Sequence, residues 1–379
     1  MAIEAGADSS GDRRLEINAM RAALALARRG LGAVWPNPSV GCVIVNDGRV
    51  VGRGWTQPGG RPHGETEALR RAGEAARGAV AHVSLEPCCH WGQTPPCVDA
   101  LIAAGVRRVV VALEDPDPRV AGEGLRRLRA AGLDVEVGLC TEEAAEVNAG
   151  FLSRLRLGRP LVTFKLATSL DGRIAVATGE SQWITGPPAR DRAHALRASH
   201  DAIMVGTGTV VADDPQLTCR LPGLGHRSPV RVVIDRHLRI SPASRIIADA
   251  PRVPTWVLTL RSADPGRRAM FLANRVTLID VDDDGEGQID LALALGALGE
   301  RGITRLLVEG GARLAAAFFR ARLIDRLVWV HAPLVIGGDG IPAIAGFDLA
   351  ALADGRAFER LSTETIGDDV LTTFRVRPI

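Results

Sequence analysis

Along the first 150 residues of the chain, hydrophobic positions recur in some segments at the spacing of an α-helix and in others at the spacing of a β-strand. Arg13–Arg29 is amphipathic at helical spacing and ends at two glycines, while Val40–Val45 and Arg49–Gly52 flank an Asn-Asp-Gly turn typical of a β-hairpin. Helices and strands then alternate in the pattern of a three-layer α/β sandwich with a largely parallel second half. The further strands are predicted at Ala81–Leu85, Arg108–Leu113 and Leu133–Val137, and the helices at Glu65–Gly73, Cys97–Ala104, Gly122–Ala131 and Glu142–Ser153.

The pattern restarts after a basic stretch, Arg154–Pro160, which we interpret as a linker. A second α/β domain is predicted, because strands again alternate with helices and 379 residues exceed one ordinary domain. We therefore expect domains at residues 13–150 and 160–379. The strands of the second domain are predicted at Leu161–Ala167, Ala202–Val205, Val230–Ile234, Thr255–Leu260, Arg275–Ile279, Arg305–Val308, Arg326–Val330, Phe358–Ser362 and Val370–Arg375. Its helices are predicted at Pro188–Ala198, Ile289–Leu298 and Ala312–Arg320.

Composition favours a soluble cytoplasmic enzyme. The net charge is +2, which gives no footprint for nucleic acid, and no apolar run approaches the length of a membrane span. Met1–Asp12 is small and polar, without the features of a signal peptide, and we expect a disordered tail there. Six cysteines in so long a chain do not suggest a disulfide framework. We expect a homo-oligomer without nucleic-acid or membrane partners.

A pair of motifs in the first half has the composition of a catalytic zinc site. His63, Cys88 and Cys97 supply one imidazole and two thiolates, and such a set leaves a fourth position for water. His63 and Cys97 fall at predicted helix N-termini, where the peptide dipoles favour a thiolate. Glu65, two residues after the histidine, is the candidate for proton transfer. The order resembles the H-x-E and P-C-x-x-C signature of zinc nucleobase deaminases, except that eight residues separate Cys88 from Cys97.

Other interpretations of these motifs remain open from the sequence. Cys89 or His90 could be a ligand in place of Cys88. A structural four-ligand site that includes His90 would leave Glu65 with nothing to activate. The cysteines could also be buried small apolar residues, with His63 an ordinary surface histidine.

The second half contains two glycine-containing loops that could hold a phosphate on backbone N–H groups. Val308–Arg313 joins a predicted strand to a glycine pair and a helix start, and Gly206–Thr209 is the second candidate. Ordinary tight turns would have the same appearance. The third glycine of the Rossmann fingerprint is missing after Gly206, so a classical dinucleotide-binding domain is not supported. Lys165 is the only lysine in the chain.

Motifs along nearly the whole chain resemble the bifunctional riboflavin-biosynthesis deaminase/reductase family. In the first half these are Pro36–Gly41, the His-Gly-Glu at 63–65, Leu85–Cys88 with Thr94–Cys97, and Glu114–Pro118. In the second half they are Lys165–Gly172, Gly179–Thr185, Ala212–Thr218 and Glu309–Gly311. Two independent motif sets occur in the family's order within one polypeptide.

This resemblance implies a cytidine-deaminase-like three-layer sandwich at 13–150 and a dihydrofolate-reductase-like domain at 160–379. It implies zinc-dependent deamination of 2,5-diamino-6-ribosylamino-4(3H)-pyrimidinone 5′-phosphate, followed by reduction of the ribosyl group to ribityl with NADPH. The cofactors would be Zn²⁺ and NADPH. Alternatives are a related enzyme with a shifted pyrimidine or pterin-like substrate, a nucleic-acid-editing deaminase, which the 4% aromatic content disfavours, and a noncatalytic nucleotide-binding second domain.

The resemblance also implies roles for individual residues. Glu65 would be catalytic, Asn37 would orient the pyrimidine, and Arg236, after its strand, would meet the cofactor's 2′-phosphate. Further NADPH contacts would come from Ala167, Trp183, Thr209, Asp213 and Gly311. Substrate contacts in the second domain would come from Ser181, Arg197, Leu217, Arg220 and Glu309, with the two arginines as partners for phosphate.

Three positions depart from the family pattern around the deaminase motifs. Gly64 stands where the family usually has alanine, Trp35 where a small hydroxyl residue often precedes Pro-Asn-Pro, and Thr56 where histidine is common. Gly64 adds backbone freedom between His63 and Glu65. The pyrimidine preference of this half is therefore open.

Overall fold

The computed structural model describes residues 9–377, which form two compact units that meet in sequence between Leu157 and Gly158. All six cysteines are free. No helix within the described range is long and apolar enough to cross a membrane. Each unit contains one main β-sheet, and the two units are described separately below.

The first unit has a five-stranded sheet in the order β2-β1-β3-β4-β5. Strand β1 is antiparallel to both of its neighbours, whereas β3, β4 and β5 are parallel. The elements are α1 (Ser9–Ala27), β1 (Gly41–Asn46), β2 (Arg49–Trp55), α2 (Gly64–Ala72), β3 (Val80–Val83), α3 (Cys97–Ala103), β4 (Arg108–Val111), α4 (Glu123–Ala130), β5 (Asp134–Val137), α5 (Thr141–Val147) and α6 (Ala149–Leu157).

Helices cover both faces of this sheet, as alternation along the strands requires. On β1, Cys42 and Ile44 point into the apolar core that includes residues of α2, α3 and α4, whereas Val43 points into the core formed with α1 and α5. The two cores lie on opposite sides of the sheet. The prediction of a three-layer α/β sandwich with a parallel second half is confirmed.

The second unit has a nine-stranded sheet in the order β11-β10-β9-β8-β12-β6-β13-β16-β15 and a small β7-β14 pair. Its elements are β6 (Leu161–Thr168), β7 (Arg173–Ala175), α7 (Pro187–Ala198), β8 (Ala202–Gly206), α8 (Thr207–Asp213), β9 (Val230–Ile234), α9 (Arg245–Ala248), β10 (Thr255–Thr259), α10 (Pro265–Ala273), β11 (Thr277–Asp280), α11 (Leu291–Glu300), β12 (Arg305–Val308), α12 (Ala312–Arg320), β13 (Arg326–His331), β14 (Ile341–Pro342), β15 (Phe358–Ile366) and β16 (Asp369–Val376).

Strand β12 returns late in the chain to lie between β8 and β6, parallel to both. The seven strands from β11 to β13 in sheet order are parallel, and β16 and β15 are antiparallel at one edge. Parallel neighbours end at the same edge of a sheet, where ligands of open α/β sheets usually bind. The segments that follow β6, β8 and β12 therefore lie together, although they are far apart in sequence.

Several boundaries differ from the sequence-based prediction. The linker at Arg154–Pro160 is wrong in its first part, because α6 continues to Leu157. The single helix predicted at Glu142–Ser153 is two helices that meet at Asn148, whose buried side chain accepts a hydrogen bond from the Ser39 amide at 3.0 Å. The predicted tail lies outside the described residues up to residue 8, whereas residues 9–12 belong to α1.

Three helices of the second unit were not predicted. The sequence predicts a loop at Gly206–Thr209, yet Thr207 begins α8. The short helix α9 was also missed. The sequence does contain an indication of helix α10, the pair Asp264-Pro265. Asp264 caps the helix by accepting the Arg267 amide at 2.8 Å, and Pro265 follows at the first helical position.

Candidate active sites of the two units

His63, Cys88 and Cys97 converge in the first unit, where each comes from a different segment. His63 is the N-cap of α2, Cys97 is the first residue of α3, and Cys88 lies in the loop after β3. One donor atom from each lies within 4.8 Å of the others. His63 Nδ1 is 3.3 Å from Cys97 Sγ and 3.5 Å from Cys88 Sγ. Nδ1 is therefore the imidazole nitrogen directed at the sulfur pair.

The charge state of the sulfur pair supports a cation at this point. The hydrogen bond from Cys97, followed by contacts with His63 and the Cys97 amide, lowers the pKa of Cys88 to about 4. That same hydrogen bond, together with burial, raises the pKa of the Cys97 thiol. One proton is thus held between two sulfurs, and a dication in its place would bind both as thiolates. One nitrogen and two sulfur donors suit zinc.

Glu65 lies directly beside this cluster in the first turn of α2. Its side chain is buried, and its Oε2 has no hydrogen-bond partner among the described residues. Burial raises the pKa of Glu65 to about 7, against the opposing effect of His63. A buried carboxyl group with a free oxygen and a near-neutral pKa can both accept and release a proton.

The structure also shows where the rival ligands lie. Cys89 turns away from the cluster, because its thiol donates to the Arg119 carbonyl oxygen at 3.6 Å and it packs in the apolar core. His90 does not belong to the donor group found among the described residues. The long loop folds back through two bonds to Cys88, since the Cys97 amide donates to its sulfur at 3.3 Å and the Val98 amide to its carbonyl oxygen at 3.2 Å.

Two departures from the family pattern have structural explanations. A Cβ atom on Gly64 would lie 2.7 Å from the Val40 carbonyl oxygen, so close packing of α2 against β1, rather than backbone freedom, accounts for this glycine. The Thr56 hydroxyl accepts the Val40 amide at 2.9 Å and donates to the Pro38 carbonyl oxygen at 3.3 Å. Thr56 thereby holds the Pro-Asn-Pro segment in place.

Asn37 lies within this segment and contacts the loop that leads to His63. A Cβ atom on Gly60 would be only 1.9 Å from Asn37 Nδ2, so the side-chain amide packs directly on that backbone. Gly60 also has φ +85°, a left-handed conformation that favours glycine. The amide donates weakly to the Val34 carbonyl oxygen at 3.4 Å.

In the second unit, Arg197 and Glu309 form a two-pronged ion pair. Arg197 Nε and Nη2 each donate to a Glu309 carboxylate oxygen at 2.8 Å, and Nη1 donates to the Thr218 carbonyl oxygen at 3.1 Å. Burial by itself would raise the pKa of Glu309, but Arg197, with help from Lys165, lowers it to about 2. Glu309 is therefore a fixed anion.

Further basic side chains surround this pair. Burial lowers the pKa of Lys165 on β6, although Glu309 opposes that effect and Arg197 adds to it. The Arg220 amide donates to His194 Nδ1 at 3.4 Å. Burial, followed by the charges of Arg197 and Arg220, lowers the pKa of His194. Sequence reasoning missed His194, though its position three residues before Arg197 places both on one face of α7.

The two glycine-containing segments considered as phosphate loops meet each other. Thr209 Oγ1 donates to the Gly310 carbonyl oxygen at 2.9 Å, and a Cβ on Gly311 would lie 3.0 Å from that same hydroxyl oxygen. Gly311 has φ +108°, which favours glycine. The contact follows from the adjacency of β8 and β12.

The other predicted cofactor contacts lie on different elements of the second unit. Trp183 is 64% exposed, with the Arg190 guanidinium 4.6 Å from its ring centroid. Arg236 follows β9, and its Nη1 donates to the Gly287 carbonyl oxygen at 2.5 Å. Asp213 is the last residue of α8. Ala167 lies within β6 and packs against an apolar cluster of the same unit.

Two predicted substrate contacts differ in exposure. Leu217 has φ +54° and is buried in the apolar core, so its side chain is already engaged and only its backbone could face a ligand. Ser181 is half-buried in the segment between β7 and α7.

Comparisons with known proteins agree with both halves of this geometry. Residues 14–113 match the cytidine and deoxycytidylate deaminase zinc-binding region, and residues 160–372 match the RibD C-terminal domain. Riboflavin biosynthesis protein RibD of Escherichia coli (strain K12) is 45% identical over 364 residues, which cover 93% of this chain and 96% of the relative. The protein of the same name from Bacillus amyloliquefaciens is 40% identical, covering 93% and 94%.

Solved structures extend the similarity to the complete fold. Acinetobacter baumannii RibD, form 1, has a TM-score of 0.87 at 37% identity and covers 97% of this chain and 100% of its own. A Thermotoga maritima protein described as a diaminohydroxyphosphoribosylaminopyrimidine deaminase/5-amino-6-(5-phosphoribosylamino)uracil reductase has a TM-score of 0.84 at 33% identity, with coverage of 97% and 100%.

A zinc-binding deaminase domain followed by a reductase domain is the class of enzyme that these folds and matches define. The chain belongs to the RibD family of riboflavin biosynthesis. It is accordingly a bifunctional deaminase and reductase with zinc and NADPH as cofactors. The predicted family, fold class, activities and cofactors are confirmed.

Proposed function

We propose that the chain hydrolyses the ring amine of 2,5-diamino-6-ribosylamino-4(3H)-pyrimidinone 5′-phosphate and then reduces the ribosyl group of the product to ribityl. The name of the Thermotoga maritima relative describes this pair of activities. The observation that carries the proposal for this chain is the convergence of His63, Cys88 and Cys97 beside the buried Glu65.

In the deaminase unit, His63 Nδ1 and the sulfurs of Cys88 and Cys97 would hold zinc. When bound, zinc supplies Lewis acidity toward a water molecule and lowers the pKa of that water. Glu65 takes up a proton on its free carboxylate oxygen and delivers it to the departing amine. Asn37, fixed over Gly60, orients the pyrimidine.

In the reductase unit, NADPH supplies the hydride, and the protein aligns cofactor with substrate. Ala167, Trp183, Thr209, Asp213, Arg236 and Gly311 are the proposed cofactor contacts. Ser181, Arg197, Leu217, Arg220 and Glu309 are the proposed substrate contacts.

Different roles are proposed for the two arginines. The fork of Arg197 is occupied by Glu309, and the pair presents a fixed, oriented polar surface. Arg220 has no carboxylate within 4.0 Å among residues 9–377, so it is the better partner for the substrate phosphate.

The assembly and location complete the proposal. The chain acts as a homo-oligomer in the cytoplasm and binds neither membrane nor nucleic acid. Light scattering on the purified protein measures the mass of the assembly, and a gel-shift titration with single-stranded DNA tests the excluded partner.

The decisive experiment follows ammonia release and nicotinamide absorbance together, with zinc-loaded protein and the diaminopyrimidine ribosylamine phosphate. Ammonia is expected without NADPH, and reduction only when NADPH is added. If the pre-deaminated substrate is reduced but ammonia never appears, the deaminase unit has a shifted pyrimidine or pterin-like substrate instead.

A further inference from the structure

Arg61 lies at the boundary between the metal-binding cluster and solvent. Its Nη1 is 3.1 Å from His63 Nε2 and donates to Thr94 Oγ1 at 2.7 Å. His63 belongs to the cluster, whereas Thr94 belongs to the exposed loop 91–95, which also carries the 75%-exposed Trp91. Arg61 therefore contacts both a residue of the metal-binding cluster, His63, and a residue of the exposed loop at the rim of the site, Thr94.

The guanidinium has no acidic partner. No carboxylate lies within 4.0 Å of it in the part of the chain that the structure describes, whereas the half-buried Arg108 and Arg127 of the same unit are each paired with one. The backbone of Gly92 packs against the guanidinium, since a Cβ there would lie only 3.2 Å from Arg61 Nη2. A half-buried guanidinium without a carboxylate partner therefore lies beside the metal-binding cluster.

Metal binding is incompatible with the contact between Arg61 and His63. Nδ1 of the imidazole faces the two sulfurs, so a metal held there takes the Nδ1 lone pair. Nε2 of a neutral imidazole then carries the proton and can no longer accept a hydrogen bond. A guanidinium has donors only, so in the metal-loaded protein Arg61 makes no hydrogen bond to His63 Nε2.

We propose that Arg61 is the phosphate-recognising residue of the deaminase site. This inference rests on the proposed function, in which the substrate is a phosphomonoester. The phosphate lies on the ribose, away from the ring amine that reacts at the metal centre. A guanidinium at the rim, freed from His63 and without a carboxylate, provides the forked donors that a phosphate oxygen pair accepts.

The first test detects phosphate at the site without turnover. Cobalt(II) replaces zinc in the full-length protein, its thiolate absorption bands report the intact cluster, and ³¹P relaxation of inorganic phosphate reports binding close to the metal. The wild-type protein is expected to show saturable enhancement of relaxation. Arg61→Gln should weaken the apparent affinity at least tenfold while the cobalt spectrum remains unchanged.

Arg49→Gln is the matched control, because Arg49 is an exposed arginine at the hairpin turn, at the opposite end of β1 and β2 from Trp55 and Gly41. It should leave the phosphate effect unchanged. Equal phosphate relaxation in wild type and Arg61→Gln overturns the proposal. A lost cobalt spectrum in Arg61→Gln overturns it as well, since Arg61 would then support the cluster itself.

The second test compares deamination of the ribosylamine phosphate with that of its dephosphorylated analogue. Arg61→Gln is expected to lower kcat/KM about 30-fold or more for the phosphorylated compound, mainly through KM, and to leave the analogue nearly unaffected. Equal losses for both compounds contradict phosphate recognition. If the wild-type protein deaminates neither compound yet shows the Arg61-dependent phosphorus effect, the proposed substrate fails and the phosphate site stands.

Discussion

The two units each bury one functional glutamate, yet the surroundings give these side chains opposite properties. Glu65 has no cation bound to its carboxylate, and burial raises its pKa to about 7. Glu309 is slightly more accessible, with 11% of its side chain exposed, and both prongs of Arg197 hold it, so that its pKa falls to about 2. Burial penalises a charge in both places, and only a paired guanidinium reverses the outcome. Glu65 is suited to transfer protons, whereas Glu309 is suited to remain charged and orient its neighbours.

Removal of the metal should have the largest effect, because it should stop the activity of the Glu65 site and leave that of the Glu309 site intact. A chelator should abolish ammonia release, because without the metal there is no activated water from which Glu65 can take a proton. NADPH-dependent reduction of the deaminated substrate should continue. Both activities are measured before chelation, after it and after addition of zinc. Loss of both activities together would contradict the assignment of the metal to the deaminase unit.

Glu65→Gln should be the next most severe change. Loss of the proton-transfer group should lower kcat for deamination about 100- to 10,000-fold, with zinc content and reduction unchanged. Ammonia release and metal analysis provide the measurement.

Glu67→Gln is the matched control on the same helix, because Glu67 is also poorly exposed but is paired with Arg70 and Arg71, and its pKa is lowered. It should retain deamination within a few-fold. Comparable losses in the two variants would mean that Glu65 acts through the fold of α2.

Glu309→Gln should destabilise the second unit. It leaves Arg197 buried without an anion, which costs about 3–5 kcal/mol in comparable pairs, and reduction should fall as well. Because the pKa of Glu309 is depressed from 4.5 to about 2, its stabilisation is complete above the upper value and is lost as the pH falls toward the lower one. Denaturant unfolding at pH 7 and pH 2.5 should show a smaller difference between variant and wild type in acid. A difference that does not shrink would rule out the ion pair as its cause.

Glu364→Gln should cause the smallest loss of stability. It removes an exposed ion pair and is the reference against which the loss in Glu309→Gln is judged. Glu364 pairs with Arg192 at 3.3 Å, with 44% and 46% of the two side chains exposed. Exposed pairs contribute about 0–1 kcal/mol. Denaturant unfolding should place this variant within that range of the wild type, and a larger loss would show that exposure does not separate the two pairs.

The deaminase motifs could be predicted from the sequence because their spacing is short and local. His63 and Glu65 are two residues apart at the start of α2, and the Cys88–Cys97 loop is closed by a hydrogen bond between residues only nine positions apart. The choice of Cys88 over Cys89 was open from sequence, since adjacent residues differ only in the direction of their side chains. The structure directs Cys89 to the Arg119 carbonyl.

The reductase site could not be assembled in the same way. Arg197 and Glu309 are 112 positions apart, and they meet because β12 inserts beside β6 and β8. Leu217 stays a predicted substrate contact through its backbone alone, because its side chain packs in the core. Motif resemblance located these residues without indicating which of them contact each other.

Local periodicity and side-chain chemistry are enough to predict the alternation of helices and strands, the division into two α/β domains and the donor types of the metal site. Three features follow only from the folded chain: which nitrogen of His63 faces the sulfurs, which glutamate lacks a cation, and the contact of Arg61 with Thr94 in the exposed loop. Those outcomes depend on distances of a few ångströms between segments far apart in the chain, where burial and pairing determine charge.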